Sequence, residues 1–419
     1  MTRRGSDKTG AIAMGDLIRD AARALAVGDA LGALNHLARR DDAAALALRG
    51  IAMAQLGDLE RAVSLLRRAI RAFGARDGLA RARCVLAQAE VALVRRDLRG
   101  PAQALDAARA SLVAHGDEAN AAHAGYLQAR QQLLLGRLER TEQLLDGLDA
   151  RRLALPSRVG HALVLAGLSM RRLRVAEARA ALDRARVLAR RCGIPSLLAE
   201  VHDAAQALER PAARASSRGE HRLVRLDEVE GIVASPALVV DACRHRVLHR
   251  SQATALASRP VLFALLRALA QAWPDDVPRA ALLLRVFRVR QADDSHRARL
   301  RVELGRLRAA LRGCAGIRAT STGFVLEPPP GAEVVVLAPP EDGMHAQVRA
   351  LLADGQAWSS SALALALGLS QRSLQRALRE LAAEGQARGI GQGRARRWAA
   401  DAVPGFPTSL LLPGAVIGA

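Results

Sequence analysis

Apolar positions recur at helical spacing through the first half of the chain, change to strand alternation near residue 222, and return to helical spacing in two later blocks. Residues 15–210 are rich in alanine and leucine with few strand formers. The clearest stretch is LALRGIAMAQLGDLERAVSLLRRAI over residues 46–70, with small side chains at Gly50, Ala54, Ala62 and Ala69 around a Gly57-Asp58 turn. Weaker units of the same kind cover 24–37, 92–112, 127–148 and 162–188. Turn signals near Gly28, Gly57, Asp97, Gly136 and Leu173 separate the helices, at spacings of roughly 30 to 40 residues, the range of helical-hairpin arrays.

The segment PAARASSRGE is small, polar and opened by proline, and predicts a linker over 211–221. Strand alternation follows at LVRL from Leu223, GIVA from Gly231, ALVVD ending at Asp241 and RVLH ending at His249. Helices are predicted over 261–273, 279–287 and 295–312, then an extended pair, IRAT and GFVLE, flanks Ser321–Gly323. Prolines and glycines over 328–340 mark another junction around a short strand, EVVVLA. From His345 the order is helix, turn, helix and a glycine-rich hairpin. The chain is therefore predicted to be mainly α. A disordered tail over 1–14 precedes a helical-repeat domain over 15–210, and the 211–221 linker leads into an α+β domain over 222–328. A linker with a short strand over 329–343, a second small α+β domain over 344–400 and a tail over 401–419 complete it.

Charge sharpens this picture by its placement. The formal net charge is +21, yet Lys8 is the single lysine among 62 basic residues, so much of the excess reflects arginine usage. Between Arg285 and Arg318, however, ten arginines face three acids, Asp293, Asp294 and Glu303. A similar excess recurs between Arg372 and Arg397. In the helix at 295–312, Leu300, Leu304, Leu307 and Leu311 form one apolar stripe, flanked by Arg297, Arg299, Arg301, Arg306, Arg308 and Arg312. Further on, Ser370 is placed to cap a helix whose Leu374, Leu378 and Leu381 oppose Arg372, Arg376 and Arg379, with Gln371, Ser373 and Gln375 near its start. Such stripes suit a duplex, where arginine neutralises phosphates or binds guanine in bidentate fashion and glutamine reads adenine.

The order of elements over 222–328, with ALVVD, the Arg259-Pro260 step, VPRAALLLRVF, RLRVELGRLRAAL and IRATSTGFVLEP, resembles the winged-helix effector domain of OmpR/PhoB-type transcriptional regulators. That resemblance implies that Arg299, Val302 and Arg306 approach bases while Arg308 and Arg318 hold phosphates, with Arg297 and Arg301 beside them and Thr320 standing where the wing commonly carries arginine. Residues 344–400 resemble a bacterial winged helix-turn-helix, with Ala364 at a helix crossing, Gly368 in the turn, Arg394, Arg396 and Arg397 in the wing, and Trp398 closing the core. The N-terminal hairpins resemble tetratricopeptide repeats, an α-solenoid whose free face receives a peptide or protein.

Several functions are disfavoured. Lys8 lies in a polar N-terminal stretch and suits neither a Walker A loop, nor a phosphate-receiving domain, nor a Schiff-base enzyme. Cys84, Cys192, Cys243 and Cys314 stand far apart, so no disulfide framework or zinc ribbon is indicated and a cytoplasmic setting is expected. Cys243, His245 and His249 lack a further ligand cluster, and His296 reads as a polar residue opening its helix. Neither a nucleophile–base pair, nor a cofactor loop, nor a metal site is evident, and no membrane span is expected. The expectation is a non-enzymatic regulator that binds double-stranded DNA through two readers, with a protein or peptide partner on the helical array. RNA polymerase and a second copy of the chain stay open as further partners. The competing reading is a protein-interaction scaffold whose winged helices have lost DNA binding.

Overall fold

The computed structural model describes residues 5–74, 77–94, 102–250, 252–287, 293–340, 344–352, 358–367, 369–390 and 396–400. The chain is mainly helical with small sheets, and it falls into two compact units that divide between Ala207 and Leu208. The expected turn at Asp97, Gly368 in the second turn, Arg394 and the tail over 401–419 lie outside the described residues.

The first unit is built from helices α1 (Gly5–Ala26), α2 (Ala30–His36), α3 (Ala43–Gln55), α4 (Leu59–Phe73), α5 (Gly78–Val94), α6 (Ala102–Ala114), α7 (Glu118–Leu134), α8 (Leu138–Asp146), α9 (Leu155–Arg171), α10 (Val175–Cys192) and α11 (Pro195–Glu209). Helix α1 begins at Gly5, ahead of the expected start at residue 15, because the apolar run from Ala11 continues the helical pattern of Leu17 and Ile18. Each even-numbered helix up to α10 packs on the one before it, and the odd-numbered helices α1 to α9 stack in succession.

The hairpins share one local device. Gly28, Gly57 and Gly116 adopt φ of +83°, +87° and +70°, and each is followed by an aspartate that caps the next helix. Gly136 and Leu173 take the same left-handed turn without an acid behind them. Close approach explains the small residues. A Cβ at Gly50 would stand 2.9 Å from Leu66 Cγ, so glycine there sets the separation of α3 and α4.

The second unit opens with strands β1 (Ala213–Ser217) and β2 (Glu220–Val224) where a linker is expected over 211–221. Only alanines at 213 and 215 face inward on β1, too small to mark a strand by hydrophobic alternation. Helix α12 (Leu226–Ala234) replaces the expected GIVA strand. Glu228 accepts the Arg225 N–H at 2.8 Å, and acids occupy the first turn, both favouring a helix start. Strands β3 (Leu238–Asp241), β4 (Arg246–His249) and β5 (Gln252–Ala255) follow as expected.

Next come α13 (Pro260–Ala272), β6 (Val277–Pro278), α14 (Arg279–Leu282) continued by a π-helical turn (Leu283–Phe287), α15 (Asp294–Ala310), and the hairpin of β7 (Gly316–Ala319) and β8 (Gly323–Glu327). Strand β9 (Val334–Ala338) is not a strand within a linker. It lies inside a six-stranded sheet ordered β2-β1-β9-β3-β4-β5, parallel to β3 with Leu238 opposite Val334 and Val240 opposite Val336. The first α+β body therefore extends on both sides of 222–328. Its core joins Leu238, Val240, Val334 and Val336 of the sheet to Phe263 and Leu266 of α13 and to Leu300, Leu304 and Leu307 of α15.

The last elements are α16 (Met344–Leu352), β10 (Trp358–Ser359), α17 (Ser360–Leu367), α18 (Gln371–Ala383), β11 (Ala387–Ile390) and β12 (Arg397–Ala400), with a three-stranded sheet ordered β10-β12-β11. Val348, Leu352, Leu363, Leu374, Leu378, Trp358 and Trp398 fill their core. Helix α17 packs on α13, and Ala257 of the preceding body joins this second core. His245 stacks on Phe263 with ring centroids 4.1 Å apart and meets Trp358 edge-on at 6.0 Å. Among the described residues, no helix is long and apolar enough to cross a membrane.

Candidate nucleic-acid interface

Helix α15 is held by its leucines. Leu300, Leu304, Leu307 and Leu311 are buried, and burying each contributes about 1.5–3 kcal/mol. Its start is fixed by Asp293, whose carboxylate accepts the His296 N–H at 2.9 Å. The backbone N–H of His296 and the Ser295 hydroxyl together bring the pKa of Asp293 down to about 2. With the stripe inward, Arg297, Arg299, Arg301, Val302, Arg306 and Arg308 are all exposed. Val302 is 53% exposed, an apolar side chain in an otherwise cationic face.

The expected contact residues differ in how freely they can reach outward. Arg306 pairs with Glu303 at 2.8 Å and Arg297 with Asp294 at 3.2 Å, both between neighbouring turns. The Arg297–Asp294 pair is exposed on both sides and contributes only about 0.2–0.5 kcal/mol, so a phosphate can displace Asp294, whereas Glu303 is largely shielded. Glu303 holds Arg306 without Arg299, whose guanidinium lies over the Phe287 ring at 4.8 Å. Arg301 donates from Nε to the Arg297 carbonyl at 3.4 Å.

Arg308 donates to the Ile317 carbonyl at 2.9 Å and lies over Phe324, which ties it to the hairpin beside the helix. Arg318 is exposed and paired with Glu327 at 2.5 Å. Thr320 is committed within the protein: its hydroxyl donates to Asp276 and accepts the Gly323 N–H at 2.8 Å. Sequence reasoning missed two residues that shape this hairpin turn. Arg279 donates to the carbonyls of Ser321 at 2.9 Å and Thr320 at 3.0 Å, while Asp276 also accepts from the Thr322 hydroxyl. The polar residues Asp275, Asp276 and Arg279, flanking Val277-Pro278, were the available signal.

Helix α18 repeats the arrangement. Ser370 caps it, accepting the Ser373 N–H at 3.1 Å, and the Ser370 hydroxyl donates to Ser373 Oγ at 2.8 Å. Ser373 is thus half-buried in the cap, whereas Gln371, Arg372, Gln375, Arg376 and Arg379 are exposed above buried Leu374, Leu378 and Leu381. Arg376 stands 3.8 Å from Glu380, which also takes His345 at 2.8 Å. Arg379 donates to the Gln375 carbonyl at 3.2 Å. Arg396 lies over the buried Trp398 ring at 4.4 Å, and the exposed Arg397 follows it on β12.

The structure also assembles one constellation that the sequence concealed. Ser157 Oγ is 3.0 Å from His123 Nδ1, and His123 Nε2 is 3.4 Å from Glu90. The three residues come from α9, α7 and α5, and all are buried at 2% exposure or less. The three side chains thus link the helices α5, α7 and α9 of neighbouring hairpins within the buried interior. Nearby, burial pushes the Tyr126 hydroxyl up to about 12, and Arg130 donates to that hydroxyl at 3.3 Å. Comparison with protein-family models, curated proteins and solved structures finds no match for this chain.

Proposed function

We propose that the chain is a sequence-specific, DNA-binding transcriptional regulator. In this reading the body around 213–338 is a winged helix of the OmpR/PhoB kind, with α15 as its recognition helix and the β7–β8 hairpin as its wing. The elements from α16 to β12 form a second winged helix-turn-helix whose reader is α18. The N-terminal hairpins act as a tetratricopeptide-like α-solenoid that receives a signal or a partner protein, and the setting is the cytoplasm.

The observation that carries this reading is the outward face of α15, where Val302 is exposed among five arginines while the leucine stripe is buried. In a major groove, a flanking arginine reaches phosphate, a frontal arginine binds guanine O6 and N7, and a valine meets a thymine methyl. Thr320, held by Asp276, shapes the wing turn and leaves contact there to Arg318.

Selection of bound fragments from random duplex DNA by the full chain tests the proposal. A recurring sequence should emerge, and repeating the selection with Arg306→Ala and with Arg376→Ala should blur different positions of it. Loss of preference from only one substitution identifies the reader that specifies. No enrichment over the starting pool overturns the proposal in favour of a protein scaffold.

A further inference from the structure

A cavity of about 440 Å³ opens where α13, the π-helical turn, α15 and α17 meet. Apolar groups from both bodies form much of its wall, including Phe263 and Phe287 on one side and Leu367 and Leu369 on the other. Arg267, Arg285 and Arg299 complete it with Gln271, and among the described residues no carboxylate lines it. Among the described residues, none of the three arginines makes an ion pair. Arg299 lies over Phe287, and Arg267 is half-buried on the α13 stripe that also carries Ala264 and Gln271. Burial holds Arg267 below the usual arginine pKa, since the cation has lost water without gaining an acid.

We infer that this cavity is a binding site for an amphipathic monoanion, a carboxylate on a compact aromatic or aliphatic body. The volume falls within the roughly 300–1,000 Å³ of small-ligand sites. A guanidinium takes a carboxylate through two parallel hydrogen bonds, and Arg267 is the one arginine of the three that is shielded from solvent enough for that pairing to be strong. The apolar body then rests between Phe263 and Leu367, bridging α13 to α17. Arg299 belongs both to this wall and to the outward face of α15. On the DNA reading above, which this step rests on, an occupant that engages Arg299 therefore changes duplex affinity, and duplex changes ligand affinity by the same factor.

Isothermal titration of the full chain with 2-naphthoate, and separately with the neutral 2-naphthylmethanol, tests the site. The acid should bind at a single site at least about tenfold more tightly than the alcohol, in keeping with a charge-assisted contact. Arg267→Gln should remove that difference. Should Arg267→Gln fail to fold, Ala264→Trp fills the same space from α13 and should abolish binding with the melting transition retained. No binding by the unaltered chain, equal affinity for acid and alcohol, or binding unchanged in the folded variants overturns the inference.

Duplex titrations separate this outcome from that of the DNA reading. Naphthoate binding by a chain that ignores DNA sinks the DNA reading alone, and DNA binding by a chain that ignores naphthoate sinks the site alone. Weaker duplex binding by Arg267→Gln in a chain without naphthoate affinity assigns these arginines to phosphates and overturns the site.

Discussion

Single side chains on α15 show how a cationic face is kept ready without being neutralised. Glu303 is largely shielded while its partner Arg306 is 66% exposed, so the acid orients the guanidinium and leaves its outer edge open. Arg306→Ala should weaken binding to a selected duplex by about 1–3 kcal/mol and relax preference at one base pair, checked by competition titration. Gly305, on the same helix, has no atom within 4 Å of where a Cβ would stand. Gly305→Ala should therefore raise stability by up to about 1 kcal/mol in chemical denaturation, because only the backbone entropy of glycine is at stake.

His245 behaves oppositely to a surface group. Burial, then the charge of Arg267, lowers its pKa from 6.5 to about 4, with Asp241 opposing. The folded state thus keeps a neutral ring. Its stabilisation is complete above about pH 6.5 and is lost as pH falls towards 4, on the order of 3 kcal/mol in total. Denaturation midpoints of the unaltered chain should decline over that window, and His245→Phe should flatten the decline. Sequence spacing alone identified the rim arginines but not their partners. Arg299 and Thr320 look free in sequence, whereas Phe287 and Asp276, distant along the chain or separated by a turn, claim them.

Among the elements, those whose apolar stripe is long were legible and those whose inward residues are small were not. The stripes of α15 and α18, the turns at Gly28, Gly57, Gly136 and Leu173, and the β7–β8 hairpin stand where periodicity and turn chemistry put them. Strand β1 offers only alanines to its inner face, and β9 is separated from its partner β3 by the whole three-helix segment, so pairing between them is a tertiary choice that local pattern does not encode. The hairpin depends on one glycine in particular. A Cβ at Gly323 would collide with the Val277 carbonyl across the β6–β8 pair. Gly323→Ala should loosen the hairpin while α15 stays folded, seen as faster amide exchange confined to 316–327.

At the scale of the molecule, α13 and α17 are in contact, and the rings of His245, Phe263 and Trp358 pack where the two small bodies meet. Helices α15 and α18 therefore belong to one compact unit. Selected DNA sites should show one dominant spacing between half-sites. Inserting about five base pairs, half a helical turn, should cut affinity to that of the stronger half-site alone, because the second reader then faces the wrong side of the duplex.

The central claim is that the exposed guanidinium groups of α15 and α18 serve a duplex and are not a by-product of arginine usage. Fluorescence anisotropy of a labelled duplex titrated with the full chain at several salt concentrations tests it most directly. The account predicts that log affinity falls linearly with log salt, with a slope that shrinks by about one for each phosphate-contacting arginine changed to alanine among Arg297, Arg301 and Arg372. Binding that is absent, or whose salt slope is the same after those substitutions as after Arg191→Ala on α10, would contradict it.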